Sequence, residues 1–591
     1  MKKQYEDLLQ YVERPARYIG AEINSVVKDW KSADLKVALA FPDIYDIGMS
    51  HLGIKILYHL LNLEDDILCE RVFAPWSDME KLLRSKNLPL FTLENNKPLS
   101  EFDIVGFSLS HELNYTNVLN ILDMSAIPLR AKDRTSSHPL IIAGGPCAFN
   151  PEPMSEFIDI FLIGDGEEAI LEIAQCYISL KQKGLAGNKP ALLKELAAIA
   201  GIYIPGLYKA SYEGGRFDKL IPLEKYAPPV IHKRLLKNLE NSFYPTKQIV
   251  TFIPVVHDRV SLEIMRGCPH RCRFCQATMI YSPVRLRSKD AVFELGKTTQ
   301  ALTGYDEISL LSLSTGDYPG IIEILNLLAG EFKSQGVSIS LPSLRVEDSI
   351  KSLPSIIQKI KKTGLTFAPE AASGRMRKFI NKNIDIDKLL QAAKKAYELG
   401  WRKIKLYFMI GLPGERDDDV DSIIKLTNDV LNSRDRERKI SAEITLSVSS
   451  FIPKPHTIFQ WEAMAQKEAL ISKISRLRKN IKTKKIKMNV HDVEMSVLEA
   501  VFSRGDRRLC NLLEAAFRKG ARFDSWKDGF RYDIWQEAIS ECGIDVKLYL
   551  GSLRYEDPLP WDHISSGIGK DVLIKDSVVA HKEAGITSCG H

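Results

Sequence analysis

Three cysteines lie within eight positions of one another in the segment EIMRGCPHRCRFCQA, namely Cys268, Cys272 and Cys275. The other six of the nine cysteines are scattered along the chain. Thiolates are soft ligands that select zinc, cuprous copper or iron–sulfur clusters. A structural zinc site usually takes four ligands in two pairs, but the chain has no second CxxC pair and His270 would be cramped between two of the cysteines. Thiols that bind no metal are a third alternative, because free cysteine is common in protein cores.

The CxxxCxxC spacing, the aromatic Phe274 before the last cysteine and the strand-like run 260–265 ahead of the loop resemble those of radical S-adenosylmethionine (SAM) enzymes. The resemblance implies that the three cysteines bind three irons of a 4Fe–4S cluster and that the fourth iron chelates the amino and carboxylate groups of SAM. One-electron reduction then splits the sulfonium and gives a 5′-deoxyadenosyl radical. A reductant such as flavodoxin or ferredoxin is an implied partner.

Apolar runs that alternate with helical stretches follow the cysteine loop, at residues 307–320, 337–347, 364–382 and 403–415. Parallel strands alternating with helices, with polar residues at the carboxyl ends of the strands, are the layout of a barrel-type active site. Together with the resemblance, this pattern predicts a partial (β/α)6 barrel, similar to a TIM barrel, over residues 246–450.

The ends of these strands supply candidate SAM contacts. By the resemblance, Asp317 receives the methionyl ammonium of SAM. Glu370, with Arg375 and Arg377 after it, is expected to hold ribose hydroxyls and the carboxylate, because charge-assisted hydrogen bonds suit that task. Taken alone, each feature also fits an ordinary turn or helix cap. The predicted SAM-binding residues are Thr315, Gly316, Asp317, Glu370, Gly411 and Gly414.

Residues 33–175 form repeated strand–turn–helix units ahead of the cysteine loop. This pattern predicts a doubly wound, Rossmann-like parallel sheet, whose ligands bind beyond the carboxyl ends of the strands. The segments AGGPCAFNPEP and IGDGEEAI resemble the cobalamin-binding domain that precedes the barrel of many radical SAM enzymes. By this resemblance, glycines let the backbone approach the corrin and its nucleotide tail. The candidate cobalamin-binding glycines are Gly144, Gly145, Gly164 and Gly166.

The Asp-x-His-x-x-Gly motif that supplies the lower cobalt ligand in cobalamin domains is absent from this unit. His51 stands at the expected place but has Met49 two residues before it and Ile54 three residues after it. We therefore interpret His51 as the start of a helix, and we expect any bound cobalamin to lack a protein histidine on its cobalt.

Composition narrows the class of protein further. The chain has 591 residues, 45% of them hydrophobic and 26% charged, with 81 Lys+Arg against 75 Asp+Glu. These values are typical of a globular protein of about three or four domains and exclude collagenous and disulfide-scaffold chains. The charged start predicts no signal peptide, and no apolar run approaches the ~18 residues of a membrane span. We therefore expect a cytoplasmic protein with reduced thiols and no membrane partner.

The rest of the chain is assigned by exclusion. We expect an extension over residues 1–32, a linker over 176–245 and a small, mostly helical carboxyl-terminal region over 451–591. Lys454, His456 and Trp461 are expected to anchor the end of the barrel rather than to line its mouth. Residues 509–517 predict an amphipathic helix. Basic residues around it make RNA a candidate partner, although nearby acids favour an ordinary solvated surface.

From residue 17 to the LPWDH segment at residues 559–563, the chain resembles one bacterial family of cobalamin-binding-domain radical SAM proteins of the Fe–S oxidoreductase type. The resemblance implies an enzyme that cleaves SAM and modifies an unknown substrate, by methyl or methylthio transfer among the alternatives. A second hypothesis is a non-catalytic iron–sulfur sensor or an RNA-binding scaffold. Family members often end in further cysteines, whereas Cys589 stands alone here. Fold and cofactor do not identify the substrate.

Overall fold

The computed structural model describes residues 2–185, 187–340, 365–434 and 442–586. The first sheet has six strands in the order β2-β1-β3-β4-β5-β6, parallel except for the antiparallel β6. Its strands are β1 (Leu35–Phe41), β2 (Ile67–Phe73), β3 (Ile104–Ser108), β4 (Leu140–Gly144), β5 (Ile160–Leu162) and β6 (Ile202–Tyr203). The order 2-1-3-4-5 is that of the flavodoxin-like doubly wound sheet, so the predicted parallel sheet is present.

Strand β2 has no counterpart in the sequence-based prediction. Its sequence ILCERVF places Glu70 and Arg71 inside a run that is buried throughout. Arg71 is held by Glu22 and Glu94, with 2.7 Å between the nitrogen and oxygen atoms of each pair. Charged residues normally indicate an exposed segment. The two charged residues inside this strand therefore prevented its prediction from the sequence.

Helices cover both faces of the first sheet: α1 (Lys2–Glu6), α2 (Tyr45–Gly48), α3 (Leu52–Leu63), α4 (Ser77–Ser85), α5 (Tyr115–Met124), α6 (Glu167–Gln182) and α7 (Lys189–Leu196). The domain boundary expected at residue 175 falls inside α6, because the helical pattern of apolar residues continues to Leu180, which is buried. The expected linker also contributes β6 to the sheet and a hairpin of β7 (Tyr208–Glu213) and β8 (Arg216–Pro222).

Two parallel sheets follow. Strands β10 (Val260–Glu263), β13 (Glu307–Leu311) and β14 (Ser338–Ser340) form a three-stranded sheet. Strands β15 (Leu365–Glu370), β16 (Lys403–Ile410), β17 (Glu443–Ser450) and β18 (Ile486–Val490) form a four-stranded sheet. The predicted strand at 337–347 begins as β14 and then runs into residues 341–364, which lie outside the described residues. The (β/α)6 barrel therefore stays a prediction.

Helices alternate with these strands: α8 (Gln276–Ile280), α9 (Lys289–Thr303), α10 (Ile321–Phe332), α11 (Gly374–Phe379), α12 (Ile386–Glu398) and α13 (Asp417–Asn432). A short antiparallel pair, β11 (Met265–Arg266) and β12 (Arg285–Leu286), flanks the cysteine loop. The turns Pro146–Phe149 and Thr315–Asp317 follow β4 and β13 as short 3₁₀ segments.

The carboxyl-terminal region is mostly helical, as expected: α14 (Lys467–Asn480), α15 (Val493–Ser503), α16 (Leu509–Arg518), α17 (Tyr532–Cys542), α18 (Lys547–Leu550) and α19 (Lys570–Ala584). It does not stand apart, because buried residues of α15, α16 and α17, such as Phe502, Leu513 and Trp535, belong to the core of the first sheet. Strand β19 (Ile564–Ser565) also pairs with β9 (Ile231–His232) of the expected linker. Among the described residues, every helix is too short or too polar to cross a membrane.

Candidate active site

The three clustered cysteines lie in the loop between β11 and α8. Cys272 is buried, Cys268 and Cys275 are half-buried, and all three are thiols without a disulfide. The backbone N–H of Cys275 donates to the carbonyl of Cys272 over 3.0 Å. Three thiolates in one loop are the soft donor set that iron–sulfur clusters take, so the residues present fit such a cluster.

Arg273, which lies inside the cysteine loop, ties the loop to two helices. Its guanidinium donates to the carbonyl oxygens of Lys378 and Phe379, at 2.9 and 3.0 Å, near the end of α11. It also pairs with Asp576 of α19 at 2.8 Å, although its side chain is only 5% exposed. Helices from two parts of the chain therefore fix the shape of the loop.

The end of β13 meets the cysteine loop directly. The Nε2 of His270 lies 2.8 Å from Oδ2 of Asp317, and the hydroxyl of Ser314 donates to the same oxygen. Thr315 beside them is fully buried. The structure thus brings the predicted Thr315–Asp317 turn next to the cysteines, and His270 orients Asp317.

Glu370 ends strand β15 with a backbone φ of +63°. This left-handed conformation is unusual for a residue other than glycine, and such strain clusters at functional sites. The carboxylate pairs with Lys382 at 3.1 Å. Burial raises the pKa of Glu370 above its ordinary value, and Lys382 opposes that rise. The Glu370 carboxylate is thus fixed at a strand end.

Neighbouring side chains pack closely around the glycine turn that follows β16. Gly411 and Gly414 have φ of +77° and +65°, and a Cβ on either would lie within 3 Å of Leu470 or Ile586. Arg375 donates to the carbonyl of Gly414 at 2.9 Å and pairs with Asp419. The turn therefore has a packing reason for both glycines, and its contact with SAM stays a prediction.

An apolar cavity of about 170 Å³ opens at the carboxyl ends of β1, β3, β4 and β5. Helices α3 and α6 close its sides. All four glycines predicted from the cobalamin resemblance line it, together with His51, Gly53, Ile54, Leu57, Phe107 and Ile170 among others. Ligands of doubly wound sheets bind at this edge, so sequence-distant glycines converge where a ligand is expected.

These glycines serve the cavity in two ways. Gly145 and Gly164 have φ of +106° and +105°, and a Cβ on them would collide with the carbonyl oxygens of Leu109 and Arg234. Gly166 has an ordinary φ of −95°, and a Cβ there would meet the nearest side-chain atom, of Leu57, only at 3.5 Å. The first two glycines permit the backbone path, whereas Gly166 leaves room in the cavity.

His51 caps helix α3, as the sequence predicted: its Nδ1 accepts the backbone N–H of Ile54 at 3.4 Å. The imidazole also lines the apolar cavity. Burial, aided by Lys55, lowers the pKa of His51 to about 4. His51 is therefore a neutral wall of the cavity at physiological pH.

An ion-pair clasp, which sequence reasoning missed, joins the two candidate sites. Arg266 lies two residues before Cys268 and donates to Asp165 at 2.9 Å and to Glu167 at 2.6 Å. Arg285, the strand partner of Arg266, pairs with Asp165 as well. Asp165 and Glu167 belong to the GDGEE turn at the cavity, so one carboxylate bridges the two strands that flank the cysteine loop. The only sign of the clasp in the sequence was that Asp165 lies beside one glycine turn and Arg266, of opposite charge, lies beside another.

Lys454 anchors the end of the four-stranded sheet to the first sheet. Its ammonium lies 2.7 Å from Glu112, after β3, and 2.8 Å from Glu499 of α15. Burial favours the neutral form of Glu499, but Lys454 and His111 outweigh it and hold the pKa of this carboxyl well below its usual range. Trp461 is almost fully buried. The anchoring function predicted for this segment is confirmed.

His456 completes that anchor and makes stability depend on pH. Its Nε2 donates to the Phe149 carbonyl at 2.8 Å, and burial lowers its pKa to about 4. Because the unfolded state binds the proton first, stability is full above pH 6.5 and falls as pH drops toward 4, by roughly 2 kcal/mol between pH 7 and 5 for this group. Urea unfolding at both pH values should show a smaller loss for His456→Asn, which keeps an N–H donor; an equal loss would contradict this assignment.

The basic residues around α16 do not form a free cationic surface. Arg507, Arg508 and Arg518 pair with Glu152, Asp506 and Glu514 at 3.0, 2.7 and 2.6 Å. The predicted amphipathic helix is present, and its apolar face is buried. RNA binding through these residues is therefore not supported, because nearby acids neutralise them.

Both halves of the chain match radical SAM family models. Residues 53–205 match "Radical SAM proteins, N-terminal", and residues 262–427 match "Radical SAM superfamily". The first match covers most of the six-stranded sheet, and the second covers the cysteine loop and the strands that follow it. These matches favour an enzyme over a non-catalytic sensor.

Similar proteins extend the comparison. An uncharacterized protein, MJ0966, of Methanocaldococcus jannaschii is 28% identical over 85% of this chain and 98% of its own length. An uncharacterized methyltransferase, PH0819, of Pyrococcus horikoshii is 25% identical over 55% of this chain and 63% of its own length. The radical SAM methyltransferase TsrM from Kitasatospora setae, solved with cobalamin and a 4Fe–4S cluster, aligns at a TM-score of 0.50 and 12% identity over 86% of this chain and 99% of that one. The last likeness shows a shared fold.

Proposed function

We propose, on the premise that this chain is an enzyme of the radical SAM superfamily, that it binds a 4Fe–4S cluster through Cys268, Cys272 and Cys275 and transfers a methyl or methylthio group to its substrate. A bound, reduced cluster would supply the one electron needed to split SAM into methionine and a 5′-deoxyadenosyl radical. The observation that carries the proposal is the clasp, which joins the cysteine loop to the glycine-lined cavity. A cluster and a cobalamin that act on the same substrate must be bound close to each other.

In this proposal Asp317 receives the ammonium group of SAM. His270 and Ser314 hold its carboxylate in one position, so the acceptor is oriented before the ligand arrives, which lowers the cost of binding. Glu370 is the second proposed SAM contact, because its strained backbone aims a buried carboxylate from a strand end. Thr315, Gly316, Gly411 and Gly414 complete the proposed SAM site.

The apolar cavity is the proposed site for the nucleotide tail of a cobalamin. Gly144, Gly145, Gly164 and Gly166 line it, and apolar walls suit a flat aromatic base. TsrM, which shares the fold, was solved with cobalamin bound, and one relative is named a methyltransferase; both support methyl transfer. His51 caps α3, so we propose that no protein histidine binds the cobalt.

Anaerobic reconstitution tests the enzyme directly. Protein loaded with iron and sulfide, then given dithionite and SAM, is expected to form 5′-deoxyadenosine, measured by liquid chromatography. Hydroxocobalamin added during reconstitution is expected to remain with the protein after gel filtration, read by its visible absorbance. Cluster-loaded protein that yields no 5′-deoxyadenosine would overturn the proposed activity, and loss of the corrinoid absorbance would overturn the cavity assignment alone.

Filling the cavity is expected to abolish corrinoid binding. Gly166→Leu places a side chain among Leu57 and Leu162 at a φ that leucine adopts freely, so the fold survives while the space is lost. The matched control is Gly206→Leu, because no atom lies within 4 Å of a Cβ there. Co-elution of hydroxocobalamin should fall at least about tenfold for Gly166→Leu and stay unchanged for the control. Equal retention by both variants would contradict the site.

A further inference from the structure

One face of the four-stranded sheet is polar. Strand register places Lys405, Thr445 and Lys487 side by side across β16, β17 and β18. Tyr407, Ser447 and Asn489 form the next row. The alternate residues of these strands, such as Leu406, Leu446 and Ile486, are buried in the apolar core on the opposite face. A sheet that buries one face and leaves the other polar presents that face to solvent or to a ligand.

A cavity of about 800 Å³ lies against the carboxyl-terminal half of this polar face. Such a volume falls in the range of small-molecule and nucleotide sites. The side chains that line it and can stack, donate or accept hydrogen bonds include Lys405, Tyr407, Ser447, Ser449, Asn489 and His491. Two carboxylates also line it, but Asp492 caps α15 and Glu494 pairs with Lys467. Tyr407 is 36% exposed. The ammonium of Lys405 lies over its ring, 4.5 Å from the centroid, so the opposite face of the ring is available for stacking.

A strongly basic segment reaches this cavity through Arg478, which is one of the lining residues. Residues 469–491 contain eight lysines and arginines and no aspartate or glutamate. Lys473 and Arg476 pair with acids of or next to α13. The other six form no ion pair with any acid among the described residues, and all six are exposed; we call them the basic strip: Arg478, Lys479, Lys482, Lys484, Lys485 and Lys487.

We propose that the basic strip docks the phosphate backbone of an RNA and that the adjacent cavity takes an unpaired nucleotide of that RNA as the substrate of the radical chemistry. This inference rests on the proposed function and names its substrate class. Strand β16, which lines the cavity, pairs with β15, and the proposed SAM contact Glu370 lies opposite Phe408 of β16. Unneutralised cations that follow one edge provide the sequence-independent affinity for a polyanion. Proteins that bind single strands combine such a groove with aromatic rings on which bases stack.

The cavity lining favours RNA over an acidic protein. Tyr407 offers a stacking surface, and Asn489 with Ser447 offers donors and acceptors of the kind that read the edges of an unpaired base. Lysines on an edge strand also prevent edge-to-edge aggregation. That explanation accounts for Lys487 on β18, but not for Arg478 and Lys479 on α14 or for Lys405 on the inner strand β16.

Fluorescence anisotropy tests the docking surface without turnover. The probe is a fluorescein-labelled oligouridylate of about 16 nucleotides, added to the full-length, cluster-loaded protein over a range of salt concentrations. The test variant is Lys482→Ala, Lys484→Ala and Lys487→Ala together. The matched control removes three exposed lysines of the first half of the chain, Lys31, Lys183 and Lys209. Thermal unfolding of both variants verifies folding.

We expect salt-dependent binding by the parent protein. The test variant should bind at least about tenfold more weakly, and its log K against log salt slope should fall by about 2, since each phosphate contact contributes ~0.7. The control should match the parent. Tyr407→Ala should lower affinity and leave the slope unchanged, because stacking releases no counterions.

Three outcomes would overturn the inference: no binding by the parent protein, equal loss in the test and control variants, or equal competition by polyglutamate of matched charge. Measurement of 5′-deoxyadenosine distinguishes a wrong substrate class from a wrong proposed function. If the test variant still cleaves SAM but no variant binds RNA, only the substrate class is wrong. If RNA binds and SAM is never cleaved, the proposed function fails instead.

Discussion

Replacement of Cys272 by alanine is expected to abolish 5′-deoxyadenosine formation by the reconstituted protein. A cluster needs all three thiolates of the loop, and Cys272 is the most buried of them. We expect at least about a thousandfold loss of rate, because removal of a cluster ligand removes the one-electron chemistry rather than slowing it. The brown absorbance of the cluster and the iron content should fall together with activity.

Cys176→Ala is the matched control, since Cys176 is a half-buried thiol of helix α6 with no place in the proposed site. It should retain the iron, the absorbance and the product. If Cys272→Ala behaves like this control, the cysteine loop does not hold the cluster. If both variants lose iron, general instability explains the loss, and thermal unfolding will reveal it.

Replacement of Asp165 by alanine is expected to destabilise the protein by about 3–5 kcal/mol, because it leaves a buried arginine without its counter-ion. Arg285 has a side chain only 6% exposed and loses its ion pair, while Arg266 keeps Glu167 and Glu263. Burial works against the charge of Asp165, yet the two arginines hold the pKa of this carboxyl below its ordinary value. Urea unfolding at neutral pH measures the loss.

A surface ion pair provides the comparison for this effect. Glu168→Ala removes a half-exposed carboxylate that pairs with Arg234 at 2.9 Å, and exposed pairs contribute only about 0–1 kcal/mol. The clasp assignment also predicts that Asp165→Ala lowers both cluster and corrinoid retention, whereas Gly166→Leu lowers corrinoid retention alone. Equal stability of the Asp165 and Glu168 variants would rule out the clasp.

Strands with uniform apolar runs could be predicted from the sequence, and strands with internal charges could not. Strands β1, β3 and β4 follow such runs, because a parallel sheet covered on both faces buries whole strands. Strand β2 buries Glu70 and Arg71, and the partners of Arg71, Glu22 and Glu94, lie far along the chain. Such a strand is stable only because its charged side chains pair with residues from other parts of the fold. Local sequence patterns contain no information on these pairs.

The same limit applies to the site. The four glycines carry a local signal, since each sits at a strand end or helix start, and the cavity brings them together. The clasp carries no such signal, because Asp165 and Arg266 are 101 positions apart in sequence. Contacts with SAM at Glu370, Gly411 and Gly414 stay predictions, as does the division of the chain into domains.

The shared core of the first sheet and the carboxyl-terminal helices has a consequence for synthesis. Helix α5 packs against α16, and Thr116 donates to Asp524 across 408 positions of sequence. Ribosomes add roughly 5–20 residues per second, so the amino-terminal sheet emerges about half a minute before the helices that close its core. During that interval its apolar surface needs protection, and we expect a nascent chain stalled near residue 450 to bind a chaperone that releases the finished protein.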